Sequence, residues 1–210
     1  MAMLVHVCDD GIDSWGFMQT RRQLCVISDV PVVSLVTREN VSGMGGSIYW
    51  PYKINPILIE TIDSGGIFVG QQCTLLDMIR WFWASHETQD EYKDSLILAG
   101  VNRGCSSTDD FLYSSTLAST IWAALKGIPA IAISMDENIY EQCREYPEYF
   151  NILLSNICSR DIWRTRIGTV SAFNIRTINP VYRNCNSFHD EYLARKNNKS
   201  SIWRLNINEW

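Results

Sequence analysis

Continuous apolar runs alternate with segments of helical composition along most of the chain. Within these runs the apolar residues do not alternate with polar ones, so both faces of each strand must be covered, as in a parallel sheet between helices. The predicted strands are Leu4–Cys8, Pro31–Val36, Ile67–Val69, Leu96–Ala99, Ile128–Ser134 and Phe173–Ile178. The predicted helices are Trp15–Leu24, Cys73–Ser85, Ser114–Leu125 and Ile139–Ile157. The pattern predicts an α/β fold with a mainly parallel sheet.

Three further features set the expected organisation of the chain. Thr37–Pro56 is rich in Gly, Ser and Pro and predicts a loop or a hairpin arm. Pro147 must break or restart the helix around it. No linker divides the sequence, so we expect one domain over residues 1–210, with the polar segment 181–210 as a C-terminal arm or tail.

The tryptophans divide into two groups by sequence context. Trp81 and Trp83 lie in a predicted helix and are expected to pack in the core or at an interface. Trp203 and Trp210 lie in the polar tail, where exposed aromatic residues favour a partner surface.

Composition excludes several classes of function. A formal net charge of −5 over 210 residues argues against a nucleic-acid polymer as partner, because such partners need a basic surface. The seven cysteines include no C-x-x-C pair, which favours reduced thiols and a cytoplasmic protein. No apolar run approaches the roughly 20 residues that a membrane span needs, and no signal peptide is evident. No G-x-G-x-x-G follows a strand, which argues against a dinucleotide-binding enzyme.

Two adjacent carboxylates, Asp9 and Asp10, follow the first predicted strand directly. Neighbouring ionised carboxylates repel each other, and burial strengthens the repulsion, so one of them takes a proton or a cation lies beside them. Oxygen ligands suit Mg²⁺, Mn²⁺ or Ca²⁺. The alternative is that one Asp caps the next helix and the other is solvated. The dipeptide alone favours the alternative.

Other predicted strand ends bring similar groups to the same edge of the sheet. Ser42 follows the second strand, and Asn102 and Gly104 follow "LILAG". The polar segment after them includes Ser106, Ser107, Asp109 and Asp110, and capping is the default role of the two aspartates. Ser114–Thr116 begins a predicted helix, where free N–H groups favour an anion such as phosphate. A cation site beside an anion site is what phosphoryl chemistry needs.

Five motifs, in order, resemble the SurE survival proteins. They are "CDDG", "ENVSG", "GVNRG", "YSST" and "KGIPAIAIS", and they cover residues 3–135, with "FNIRTINP" as a fainter match further on. The resemblance implies a three-layer, Rossmann-like α/β fold and a metal-dependent nucleotidase or acid phosphatase that uses a metal-activated water.

The family's functional residues carry over to matching positions. The resemblance implies a Mg²⁺ or Mn²⁺ site whose ligands are Asp9, Asp10, Ser42 and Asn102, of which Asp9, Asp10 and Asn102 would also be catalytic. It implies substrate or phosphate contacts at Asn40, Gly104, Ser114 and Thr116. The chain departs from the family pattern at Ser115, where the family has glycine, at Trp122, and in "GQQCTL" from Gly70 to Leu75.

Two functions remain open at this stage. The first is a phosphomonoesterase that hydrolyses nucleoside monophosphates. We expect it to form a homodimer or a higher homo-oligomer and not to associate with a membrane. The second is a catalytically impaired relative that binds metal or nucleotide, or serves in assembly, because of the motif departures. Neither the preferred nucleotide nor the general acid follows from the sequence.

Overall fold

One mixed sheet organises the part of the chain that the structure describes. The computed structural model describes residues 3–44, 58–62, 66–86, 94–106, 113–161, 169–178, 180 and 182–206. The strands are β1 (Leu4–Cys8), β2 (Val32–Thr37), β3 (Leu58–Ile62), β4 (Ile67–Gln71), β5 (Leu96–Arg103), β6 (Ala130–Met135), β7 (Thr169–Ile175), β8 (Arg183–Cys185) and β9 (Ser201–Asn206). Their spatial order is β3-β4-β2-β1-β5-β6-β7-β9-β8.

The centre of the sheet is parallel, and antiparallel pairs flank it on both sides. The six strands from β4 to β7 pair in parallel, whereas β3 runs antiparallel to β4 and β9 runs antiparallel to β7. Every residue of β1 and β6 is buried, which explains why these strands are almost entirely apolar. The predicted mainly parallel α/β fold is confirmed.

Helices cover both faces of the sheet and complete three layers. They are α1 (Trp15–Ile27), α2 (Leu75–His86), α3 (Ser115–Leu125), α4 (Glu137–Glu145), α5 (Pro147–Asp161) and α6 (Phe188–Lys196). Side chains of α1, α4 and α5 share one core cluster, and those of α2 and α3 share another on the opposite face. Pro147 begins α5, where its missing N–H costs no helical hydrogen bond.

The C-terminal segment carries regular structure that the sequence pattern does not predict. Within residues 182–206, β8, α6 and β9 join the body of the protein, and β9 pairs with β7. Trp203 is buried, so the expectation that it lies on an exposed partner surface is wrong; Trp210 lies outside the described residues. Trp81 and Trp83 pack against the core cluster, as predicted.

The order of the strands places a crevice between β1 and β5. From β1 the chain first builds outward through β2 and β4, and then it crosses to β5 on the other side of β1. Ligands of open α/β sheets bind beyond the carboxyl ends of the strands at such a switch point. The residues that follow β1 and those that end β5 therefore define the candidate site.

Candidate metal and phosphate site

The loop after β1 supplies the two carboxylates. Asp9 is 1% exposed, whereas Asp10 is half-buried. Gly11 follows with φ of +90°, and a Cβ there would lie 3.1 Å from the backbone nitrogen of Asn40. Glycine is therefore required for both the turn and the close approach of the loop after β2.

Two hydrogen bonds fasten the loop after β2 to the Asp9–Asp10 segment, and a third shapes the loop itself. The Val41 N–H donates to the Asp9 carbonyl at 2.8 Å, and the Ser42 hydroxyl donates to Asp10 Oδ1 at 2.8 Å. Asn40 Oδ1 accepts from the Ser42 N–H at 2.8 Å. Asn40, expected as a substrate contact, thus uses its amide oxygen to shape the loop that presents Ser42.

The end of β5 brings an amide to the same place. Pairing between β5 and β6 shifts register between Ala99 and Asn102, which is a local irregularity of the kind found next to active sites. The Arg103 N–H donates to Asp10 Oδ2 at 3.3 Å, and Asn102 Nδ2 donates to the Gly104 carbonyl at 3.0 Å. The amide nitrogen of Asn102 is therefore engaged, and its oxygen is the group left to bind a ligand.

Unpartnered oxygen atoms collect at this site. Among the described residues, four buried side chains have an oxygen without a hydrogen-bond partner: Asp9 Oδ1, Asn102 Oδ1, Ser115 Oγ and Ser95 Oγ. The first three belong to the loop after β1, the end of β5 and the start of α3, which meet at the crevice. Buried polar atoms without partners are costly, and a cation bound here would satisfy these oxygens. Carboxylate, amide and hydroxyl oxygens fit a hard divalent cation such as Mg²⁺ or Mn²⁺.

Burial controls the titration of both carboxyls. Burial, reinforced by the charge of Asp10, raises the pKa of Asp9 from 3.8 to about 6. The Ser115 and Ser42 hydroxyls oppose this rise, although Ser115 Oγ makes no well-aligned hydrogen bond within the described chain. Burial also raises the pKa of Asp10, against the hydrogen bonds from Ser42 and the Arg103 N–H. A cation would compensate the charge that burial disfavours.

Metal affinity should therefore depend on pH. A divalent cation binds the ionised carboxylate, so protons compete with it below the Asp9 pKa of about 6. We expect the Kd for Mn²⁺, measured by calorimetry, to rise about fivefold from pH 6 to pH 5, because the ionised fraction of Asp9 falls by about that factor, and to change little above pH 7. An affinity that stays flat from pH 5 to pH 7 would contradict this assignment of the ligand.

The N-terminus of α3 is the candidate anion side of the site. Ser114 is the N-cap, and its Oγ accepts from the Leu117 N–H at 3.2 Å. Ser115 and Thr116 are buried in the first turn, where helix geometry leaves backbone N–H groups without intrahelical acceptors. Gly104 has φ of +100°, and no atom lies within 4 Å of a Cβ built there. Each of these groups suits a phosphate.

A buried histidine holds the backbone just before Asn102. His6 Nε2 lies 2.6 Å from the Gly100 carbonyl, which can only accept, so Nε2 carries the proton. Burial lowers the pKa of His6 to about 4, and the ring is neutral at neutral pH. His6 stacks on Phe17 at 5.4 Å between ring centroids. The ring is therefore a fixed hydrogen-bond donor.

The structure shows contacts of three residues to which the sequence analysis assigned no role in the site. The Arg103 N–H contacts Asp10, Ser106 contacts Ser114, and Ser115 places a hydroxyl near Asp9. Ser106 and Ser115 had a signal, because the first lies in the polar segment after a predicted strand and the second replaces the glycine of the motif. Ser107, Asp109 and Asp110 lie outside the described residues.

The donor set differs from that of a zinc or copper site, which uses His and Cys ligands. The described residues contain no group of three or more His, Cys, Asp or Glu that could hold a metal ion. The candidate ligands here are the carboxylates of Asp9 and Asp10 and the neutral oxygens of Ser42 and Asn102. Such oxygen ligands suit cations that keep several waters.

This combination of a switch-point crevice, paired carboxylates and a helix N-terminus is typical of α/β proteins that bind a small anion beside a cation. The model of the family described as Survival protein SurE matches residues 4–187. The chain belongs to this family, whose members are typically nucleotidase hydrolases and generally metal-dependent.

Individual relatives are distant in sequence. The chain is 30% identical over 163 residues to a protein of Cytophaga hutchinsonii named 5'-nucleotidase SurE, covering 76% of this chain and 60% of the relative. It is 28% identical over 182 residues to a protein of the same name from Rubrobacter xylanophilus, covering 82% and 66%. The matches thus span about two thirds or less of these relatives' length.

A solved structure shares the fold. The crystal structure of the SurE protein from Aquifex aeolicus superposes with a TM-score of 0.75 at 20% identity, covering 98% of this chain and 93% of that one. No helix in the described ranges is long and apolar enough to cross a membrane.

Proposed function

We propose that this protein is a metal-dependent phosphomonoesterase that hydrolyses nucleoside monophosphates. The observation that carries the proposal is the pair of orphaned oxygens, Asp9 Oδ1 and Asn102 Oδ1, at a crevice beside the α3 N-terminus. The name 5'-nucleotidase, carried by the relatives, supports the same substrate class.

The proposed site has two halves, one that would bind a cation and one that would bind the phosphoryl group. Asp9, Asp10, Ser42 and Asn102 would hold a divalent cation, which when bound supplies a Lewis acid and lowers the pKa of a coordinated water. Because Ser42 and the Arg103 N–H each occupy one oxygen of Asp10, that carboxylate is held in a fixed orientation. Preorganised groups of this kind need no rearrangement as charge develops.

The α3 N-terminus would bind and orient the phosphoryl group. Ser114 and Thr116 would donate hydroxyl hydrogen bonds to its oxygens, together with backbone N–H groups of the first turn. Gly104, which has no side chain, leaves room for the group to approach the backbone. Burial of Ser114 and Thr116 excludes water and strengthens each hydrogen bond to the developing charge.

A neighbouring pocket supports a nucleoside as the leaving group. It has a volume of about 320 Å³ and opens beside the loop that carries Ser42. Val41 contributes apolar surface, and Arg38, Gln71 and Gln72 contribute polar groups. Mixed linings of this kind suit a flat ring with hydrogen-bonding edges. The pocket includes the "GQQC" segment, where the sequence departs from the family pattern.

A phosphatase panel with and without chelator tests the proposal. We expect release of phosphate from nucleoside 5'- and 3'-monophosphates and from p-nitrophenyl phosphate, lost with EDTA and restored by Mn²⁺ or Mg²⁺. Cation binding without turnover over the whole panel would replace the proposal with the non-catalytic binding module. Activity that survives EDTA would exclude the metal-dependent mechanism. We also propose a homodimer or a higher homo-oligomer, which size-exclusion chromatography with light scattering would reveal.

A further inference from the structure

A buried carboxylate at the C-terminal flank of the sheet has four hydrogen-bonding neighbours. Glu191 of α6 is 0% exposed and forms an ion pair with Arg176, which is 4% exposed. Trp203 Nε1 donates to Glu191 Oε2 at 3.0 Å, and the Cys185 thiol lies 3.7 Å from the same oxygen. Asn174 Nδ2 donates to Oε1 at 3.3 Å. Four residues on or next to the strands β7, β8 and β9 thus hold one helical carboxylate.

Asn174 connects this carboxylate to the candidate phosphate site. Its Nδ2 also donates to the Ser106 carbonyl at 2.9 Å. Ser106 Oγ lies 2.8 Å from Ser114 Oγ and 2.9 Å from Ser134 Oγ. All of these residues are buried, with exposed fractions of 9% or less. A continuous set of hydrogen bonds therefore runs from Glu191 to Ser114, the N-cap of α3.

The partners of Asn174 determine how its amide is oriented. Both groups that face Nδ2, the Ser106 carbonyl and the Glu191 carboxylate that pairs with Arg176, can only accept hydrogen bonds. The NH₂ end of the amide must therefore face them, and a charged acceptor holds it more strongly than a neutral one. The segment that carries Ser106 is consequently tied to β7.

The position of Ser106 also decides where the Ser114 proton points. Ser114 Oγ already accepts from the Leu117 N–H. If Ser134 donates to Ser106 and Ser106 donates to Ser114, then the Ser114 proton is free to donate to an anion. If Ser106 moves away, Ser114 loses this donor, and its hydroxyl turns elsewhere. With the protons in this order, a fixed Ser106 keeps Ser114 as a donor to the anion.

We propose that Asn174 and Glu191 are positioning residues that hold Ser106, and through it Ser114, in the geometry that binds a phosphoryl group. The inference rests on the proposed function, because it concerns the phosphate half of the same site. It assigns to the C-terminal elements β7, α6 and β9 a role in substrate affinity. Neither residue belongs to the cation half of the site. Substituting either one should therefore change the affinity for phosphate and leave the affinity for Mn²⁺ unchanged.

The test is the affinity of Asn174→Ala for inorganic phosphate, measured by calorimetry at saturating Mn²⁺. We expect the Kd for phosphate to rise about tenfold, as for the loss of one buried hydrogen bond, with an unchanged Kd for Mn²⁺. The matched control is Leu153→Ala, which removes a buried side chain of α5 outside these hydrogen bonds. The control should lower the melting temperature without changing the Kd for phosphate.

A second variant tests coupling and remains informative if Asn174→Ala fails to fold. Ser106→Ala removes only one hydroxyl and should also raise the Kd for phosphate about tenfold. If the two residues act along one path, the double variant should be no worse than either single variant. Wild-type affinity in a folded Asn174→Ala, an equal loss in Leu153→Ala, or wild-type affinity in Ser106→Ala would overturn the inference.

The phosphate measurement also separates the two proposals. Wild-type protein that hydrolyses phosphomonoesters while Asn174→Ala binds phosphate normally would sink the inference alone. Wild-type protein that binds phosphate without turnover would sink the proposed function, and the Asn174→Ala comparison would still decide the inference. A wild-type protein that binds no phosphate would overturn both.

Discussion

Asp9→Asn should lose phosphomonoesterase activity by at least about 1000-fold, because several kcal/mol of stabilisation from the cation would be lost. The same substitution should stabilise the metal-free protein at pH 7. Burial raises the pKa of Asp9 from 3.8 to about 6, so in the metal-free protein the free energy of unfolding falls as pH rises between these values. Removing the charge should recover up to about 3 kcal/mol.

The control for this variant is Asp13→Asn, which removes an equal charge from an exposed position in the same loop. It should leave both the activity and the urea midpoint near those of the wild type. Measurements of kcat/KM with p-nitrophenyl phosphate and of urea denaturation with EDTA give the two readouts. An active Asp9→Asn variant would falsify the assignment of Asp9 to the active site. An unchanged urea midpoint in that variant would contradict the claim that the buried charge of Asp9 destabilises the metal-free protein.

Gly100→Ala should be the most destabilising single substitution near the site, with a loss of about 3–5 kcal/mol in the free energy of unfolding. Gly100 has φ of +108°, and a Cβ there would overlap the Ile133 carbonyl oxygen. Since Asn102 follows two residues later, the shift that relieves this overlap would also displace its amide. Mn²⁺ affinity should therefore fall together with stability.

Gly104→Ala separates backbone strain from overlap. Gly104 has a similar φ of +100°, but a Cβ at this position would have no atom within 4 Å. We expect only the conformational cost, about 1–2 kcal/mol, in urea denaturation. An equal loss in the free energy of unfolding for Gly100→Ala and Gly104→Ala would show that the overlap with the Ile133 carbonyl oxygen does not contribute to the destabilisation.

The sequence predicts the central strands well because their environment is uniform. β1 and β6 lie inside the sheet with both faces covered, so every residue except His6 is apolar or small and the pattern is unambiguous. The pattern does not predict β3, since this strand lies at an antiparallel edge and contains polar residues. A segment of that kind is hard to distinguish from an irregular one over five residues.

The C-terminal elements escape local prediction for a different reason. α6 directs Glu191 into the protein interior, so its inward face does not read as apolar. The groups that compensate this charge, Arg176 and Trp203, lie just after β7 and on β9, far apart in sequence. Local pattern cannot reveal a charge that is satisfied by distant residues.

The sequence predicts those site residues that directly follow a recognisable buried strand. Asp9 and Asp10 follow an unmistakable buried strand, and parallel strands meet at one edge. β5 extends to Arg103 beyond its predicted end at Ala99, with a register shift that no local pattern signals. The Arg103 N–H that contacts Asp10 and the orphaned oxygen of Asn102 both lie directly after that shift.

Calorimetric titration with Mn²⁺ of the wild type and of Asn102→Ala tests most directly whether oxygens from separate loops share one cation. We expect one Mn²⁺ per chain in the wild type and a Kd at least about tenfold higher in Asn102→Ala. Equal affinity in the two proteins, or no binding by the wild type, would contradict a cation held jointly by the acidic pair and the β5 amide.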